Sequence, residues 1–185
     1  MTRRLFIAIP LPAPIVADLG QICAELKNDC PSTRWTRPEN LHLTVLFLGD
    51  VNGGQYERIA SQLADAVDHI EAPALMTVGI GPGPPRRPTM LWLNFRPSVG
   101  FTALVGAVRT AMHDIVTLKS APMTVMPHVT LARFRAEPPV SCQKQAKGIE
   151  YRQGFESERC ILFESQLSSA GPTYTELQSF RFGGQ

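Results

Sequence analysis

A chain of 185 residues, 44% hydrophobic and 18% charged, can bury a core of its own without staples. Its formal charge of +2 permits a local cationic cleft but argues against a protein that coats nucleic acid. No apolar run approaches the ~18 residues of a transmembrane helix, and Cys23, Cys30, Cys142 and Cys160 show neither a C-x-x-C nor a zinc spacing.

The opening Thr2-Arg3-Arg4-Leu5-Phe6-Ile7 has the look of a twin-arginine export signal. Pro10, Pro12 and Pro14 would interrupt its apolar helix, Asp18 follows at once, and no A-x-A site appears. A buried first strand over Arg4–Ile9 is therefore expected, in a cytoplasmic protein whose cysteines are reduced core residues. Prolines lead into a helix over about 13–28, with Ile15, Leu19, Ile22 and Leu26 at helical spacing. Extended segments follow at Thr33–Thr36 and Leu41–Leu48, then a loop marked by Gly49, Asp50, Asn52, Gly53 and Gly54. A second amphipathic helix, about 55–70, carries Ile59, Leu63, Val67 and Ile70. Strands at Ala74–Ile80 and Met90–Phe95 flank the turn-rich Gly81–Pro88, which reads as a hairpin connection. A helix over about 99–118 should bury Phe101, Leu104, Val108, Met112 and Ile115, and a strand over Val125–Phe134 follows it. A weaker helix over about 139–149 is opened by Pro138 and Pro139. The chain closes with strands at Arg159–Gln166 and Tyr174–Phe182, joined across Gly171-Pro172.

Strands mixed with four helices, with many neighbouring strand pairs, predict an α+β fold with largely antiparallel sheets. Two strings stand out. His42-Leu43-Thr44-Val45 and His128-Val129-Thr130-Leu131 each place a histidine and a threonine one residue apart in an apolar run. A strand's period of two puts both side chains on one face. The strings stand nearly half the chain apart, each between two helices, which reads as two diverged copies of one unit. The expectation is a single bilobal domain, 1–185, with a pseudo-twofold pair of sheets, flanking helices and a central cleft that both motifs face.

The paired H-x-T strings, with their surroundings, resemble the 2H phosphoesterase superfamily, and within it the RNA 2′,3′-cyclic phosphodiesterases, also called 2′–5′ RNA ligases. The likeness covers nearly the whole chain: Arg4-Leu5-Phe6-Ile7-Ala8-Ile9, Asn40 to Gly49, Met90-Leu91-Trp92-Leu93, Pro127 to Arg133, and the tail Ser165-x-Leu167 with Gly171-Pro172-x-Tyr174. The resemblance implies opening of a terminal ribose 2′,3′-cyclic phosphate to a 2′-phosphate, with no metal or other cofactor. It also implies that Arg133 contacts the phosphate and that Phe47 is placed against the terminal base. Where the family usually has a basic or polar residue in the first motif strand, this chain has Val45-Leu46.

The residue types suit that chemistry. Opening a cyclic phosphodiester needs a base to take a proton from water and an acid to protonate the departing ribose oxygen. Imidazole, with an ordinary pKa near 6.5, serves either role near neutrality. His42 and His128 are the candidate catalytic pair, and Thr44 and Thr130 can donate hydroxyl hydrogen bonds to the non-bridging oxygens. Which histidine is acid and which base is not readable from sequence. Arg133, five residues after His128, points to the wrong face on a regular strand unless a twist or bulge intervenes. The same alternation sets Phe47 opposite His42. His69 and His113 read as solvated, Trp35 and Trp92 as core, and Arg86 and Arg87 as turn residues that could touch RNA phosphate. The absence of H-E-x-x-H, H-x-H-x-D or a paired-aspartate signature disfavours a metallohydrolase. The expected partner is an RNA end bearing a 2′,3′-cyclic phosphate, bound by a monomer away from any membrane. The rival readings are an enzyme for a small cyclic nucleotide derivative and a non-catalytic RNA- or nucleotide-binding module.

Overall fold

The computed structural model describes residues 2–30, 33–118, 126–169 and 171–183. Among the described residues nine strands form an antiparallel sheet: β1 (Thr2–Pro10), β2 (Arg34–Trp35), β3 (His42–Asn52), β4 (Ala74–Gly83), β5 (Met90–Phe95), β6 (His128–Arg133), β7 (Gly154–Glu156), β8 (Arg159–Ser168) and β9 (Gly171–Arg181). The helices are α1 (Ala13–Leu26), α2 (Tyr56–Asp68), α3 (Val99–Met112) and α4 (Val140–Lys147). The sheet order is β7-β4-β5-β6-β3-β1-β8-β9, with β2 added to β6. The sheet curls into a half-barrel, an α+β fold as the sequence predicts.

Each helix presents an apolar stripe to the sheet. Ile15, Leu19 and Leu26 of α1, Ile59, Leu63 and Val67 of α2, and Phe101, Leu104, Val108 and Met112 of α3 all join one buried cluster with the sheet's inner face. Ser98 caps α3: its hydroxyl accepts from the Phe101 N–H at 3.2 Å and donates to the Ala74 carbonyl at 3.0 Å.

The two halves of the chain meet at β3 and β6. These strands are neighbours, sharing the single register pair Leu43↔Val129. Beyond it β6 takes β2 on the same edge, through Arg34↔Arg133 and Trp35↔Ala132. The halves are thus joined more closely than two lobes facing across a gap.

Several boundaries differ from expectation. The loop expected at 49–54 is largely strand, because Gly49 at φ +79° sits at an irregularity in the β1–β3 ladder and lets β3 run on to Asn52. The 99–118 helix stops at Met112, where the His113 N–H turns back to the Thr110 carbonyl. β7 lies outside the expected elements; its three residues are too few for a periodic signal. Val125, expected in β6, lies outside the described residues. The Gly81–Pro88 hairpin is present, closed by Gly83↔Met90, although β4 extends into it.

The cysteine expectation needs a correction. Cys23 and Cys160 are free and buried, and burial pushes their thiols up to about 11 and about 12. Cys30 and Cys142, however, form a disulfide. The end of α1 packs against the start of α4, where the Ser141 hydroxyl also lies 3.4 Å from the Asp29 carbonyl. That juxtaposition of residues 112 apart is invisible in cysteine spacing.

Candidate functional site

Both H-x-T strands alternate in the same way: histidine and threonine half-exposed, Leu43, Val45, Val129 and Leu131 buried. Extending the antiparallel ladder one residue either side of Leu43↔Val129 sets His42 opposite Thr130 and Thr44 opposite His128. The four polar side chains therefore share the outer face of the sheet, related by a local twofold through that apolar pair.

The histidines are held alike. His42 Nδ1 lies 2.8 Å from the Asn40 carbonyl, and His128 Nδ1 lies 2.9 Å from the Met126 carbonyl. A carbonyl can only accept, so each Nδ1 carries the proton and each Nε2 is left for chemistry. Burial lowers the pKa of His42 to about 4; its bond to Asn40 opposes this, and the charges of Arg133 and His128 lower it further. His128 is lowered too, again chiefly by burial, with Arg133 adding to the effect.

A bulge resolves the placement of Arg133. In the β5–β6 ladder Leu91 pairs with Ala132 but Trp92 pairs with Thr130, so Leu131 is the extra residue. Leu131 and Ala132 are consecutive buried residues, and Arg133 emerges on the face of His128. Thr36 braces the bulge: its N–H donates to the Leu131 carbonyl and its hydroxyl to the Thr130 carbonyl, both at 2.8 Å. β3 repeats the device. Ile7 pairs with Leu46 and Ala8 with Thr44, skipping Val45. Phe47, expected opposite His42, consequently lies on its side. It is 62% exposed, with its ring 5.8 Å from Phe6, which is itself 4.9 Å from His42. Phe47 and Arg133 are twofold mates, each five residues beyond a histidine.

Three neighbours lie beyond the site expected from sequence. The Trp92 indole stacks on His128 at 3.8 Å and 22°, and its buried Nε1–H has no acceptor among the described residues. Tyr174, from β9, sets its ring edge on His42 at 5.3 Å and on Phe6 at 4.9 Å. Its turn is pinned by Asn40, whose side-chain amide donates to the Pro172 carbonyl at 2.9 Å. Arg34 stands beside Arg133 across the β2–β6 ladder. In the sequence Tyr174 is a tail-motif residue opening the last expected strand, and Arg34 is an arginine within the extended segment Thr33–Thr36; neither carries a signal that points to the histidines. His69 and His113 lie away from this face and are exposed, His113 against Asp114 at 2.9 Å. Arg86 and Arg87 occupy the exposed β4–β5 turn. Among the described residues no group of three His, Cys, Asp or Glu could hold a metal ion, and no helix is long and apolar enough to cross a membrane.

Known proteins share this arrangement of strands. The family model described as LigT-like phosphoesterase matches residues 9–92. An RNA 2′,3′-cyclic phosphodiesterase of Thermus thermophilus is 30% identical, across 98% of this chain and 91% of that protein. One of the same name from Methanothermobacter thermautotrophicus is 29% identical, across 98% of this chain and all of its own length. A crystal structure of a Thermus thermophilus protein superposes with a TM-score of 0.81 at 24% identity, covering 98% of this chain and 99% of that one. E. coli LigT complexed with 3′-AMP gives 0.74 at 24%, with the same coverages. With 98% of its length matched in sequence and its fold matched in space, this chain belongs to the LigT-like phosphoesterase family.

Proposed function

We propose that this protein hydrolyses RNA 2′,3′-cyclic phosphate ends to 2′-phosphates by two-histidine acid–base catalysis without a metal. The observation that carries the reading is the twofold pair of imidazoles. Each is fixed through Nδ1, and they share one face with Arg133, whose charge acts on both. The names of the sequence relatives support the substrate class.

One histidine, neutral, takes a proton from water as its oxygen attacks phosphorus. The other, protonated, gives its proton to the departing O3′ as the P–O3′ bond breaks, leaving the phosphate on O2′. Each proton transfer supplies roughly 10²–10⁴-fold. Thr44 and Thr130 donate to the non-bridging oxygens, and Arg133 offers a planar fork to the same phosphate. The exposed ring of Phe47 serves as a platform for the terminal base. With a 5′-hydroxyl in place of water as the nucleophile, the same two transfers in the same direction form a 2′–5′ link. Each half of the chain contributes one histidine, so the whole of 1–185 acts as one unit and a monomer holds the complete site.

The test is an RNA oligonucleotide ending in a 2′,3′-cyclic phosphate, incubated in EDTA, with the product phosphate located. A 2′-phosphate is expected, and His42→Ala and His128→Ala should each lower kcat at least about 10³-fold with unchanged circular dichroism. Activity retained by both variants, or lost in EDTA, overturns the proposal.

A further inference from the structure

Beyond the histidines, this face carries more positive charge than a single phosphate requires. Arg34 and Arg133 stand directly opposite each other across the two-residue β2–β6 pairing. Like charges in that position repel. Arg4, on β1 two residues before Phe6, projects to the same face as Phe6 by strand alternation. None of the three forms a salt bridge among the described residues, although Asp50 faces Arg4 across β1–β3 and Glu176 faces Phe163 across β8–β9. The neighbouring Arg3, on the other face, does reach Glu164 at 3.9 Å.

The cluster converges on Tyr174. Burial raises the pKa of its hydroxyl, and the charges of Arg133, Arg4 and Arg34 all act against that rise. Of the three, only Arg133 also acts on the histidines. Arg133 is therefore the hinge between two zones: the imidazole pair on one side, and Tyr174 with Arg34 and Arg4 on the other. The second zone is built, not incidental. Gly171, at φ +120°, has no side chain where a Cβ would stand 3.1 Å from Arg34 Nη2. Asn40 ties the Pro172 carbonyl to the loop whose own carbonyl holds His42.

We infer that Arg4, Arg34 and Tyr174 form a second phosphate subsite, which takes the 5′-phosphate of the terminal nucleotide while its cyclic phosphate lies at the histidines. Guanidinium forks and a phenol hydroxyl are donors matched to phosphate oxygens. The neutralisation lacking within the protein comes from the ligand. In an RNA chain that phosphate is the last internucleotide linkage, so the subsite favours polymer ends over 5′-hydroxyl mononucleotides. This identification of the nucleotide rests on the proposed function; the presence of a second phosphate subsite does not.

Binding is measured first, by calorimetry, with adenosine 3′,5′-bisphosphate and 3′-AMP. The bisphosphate should bind about tenfold or more tightly, as for one added charge-assisted contact. Arg34→Met and Arg4→Met, on different strands, should each remove most of that ratio, and so should raised salt. Equal affinities, or ratios unmoved in both variants, overturn the subsite. Turnover is then compared for adenosine 2′,3′-cyclic phosphate, its 5′-phosphorylated form and the dinucleotide ApA with a 2′,3′-cyclic end. A kcat/KM gain shared by the last two supports a phosphate subsite. A gain confined to the dinucleotide overturns it in favour of contacts to the upstream nucleoside. No turnover of any substrate, with the binding ratio intact, overturns the phosphodiesterase reading and leaves the subsite standing.

Discussion

A carbonyl two residues upstream holds Nδ1 of each site histidine, a local contact that sets tautomer and ring plane together. Burial then makes both imidazoles weaker bases than usual, His42 down to about 4. The proposed mechanism needs one of the two protonated. In the free enzyme the singly protonated pair should be most populated between pH about 4 and the depressed pKa of His128, below 6.5. The kcat/KM profile should therefore peak on the acid side of neutrality. The kcat profile should lie at higher pH, because the bound phosphate anion favours the imidazolium. A kcat/KM optimum above pH 7 would contradict this. The same group affects stability, and the sign is definite. As pH falls from about 6.5 to about 4 the unfolded chain takes up a proton at residue 42 before the folded one does, so stability drops, by at most about 3 kcal/mol. Urea titrations at pH 7 and 4.5 should show a smaller loss in His42→Asn than in the wild type.

At the level of elements, the two bulges are the decisive local structure. A regular strand would send Phe47 and Arg133 to the helix-packed side of the sheet. One extra residue in each strand, Val45 and Leu131, returns them to the histidine side. Period-two reading finds the H-x-T faces correctly but has no term for a bulge, which is set by pairing to β1, β2 and β5. The β4–β5 hairpin adds a second support. The Trp92 indole lies between His128 and Gly83, and a methyl at Gly83 would overlap its ring. Gly83→Ala should displace the indole, costing about 1–3 kcal/mol in urea unfolding. It should also lower kcat while leaving substrate affinity nearer to normal, since His128 loses its backing. A variant with wild-type stability and kcat would show that the indole packs there without positioning the histidine.

For the whole molecule, the face that carries both histidines depends on how the halves are joined. Between β3 and β6 the register gives one pair, Leu43 and Val129, both fully buried. It lies midway between the two histidines, so it sets their separation as well as closing the core. Leu43→Ala should cost about 2–5 kcal/mol. Combined with Val129→Ala, the loss should depart from the sum of the single losses by about 0.5 kcal/mol or more, as for residues in contact. Additive losses, measured by chemical unfolding, would mean that the junction is held elsewhere.

By itself the sequence determined the four helices and every strand but the short β7, the duplicated His-x-Thr faces and, through resemblance, the family. These follow from short-range periodicity and residue chemistry, which a linear chain displays directly. Tertiary structure alone decided that the motif strands are neighbours, that bulges bring Arg133 and Phe47 to the histidines, and that Trp92 backs His128. It also decided that Tyr174 and Arg34 join the site and that Cys30 meets Cys142. Each of these is a contact between residues distant in the chain, or a register shift imposed by a partner strand. Such relations come into being only when the sheet closes.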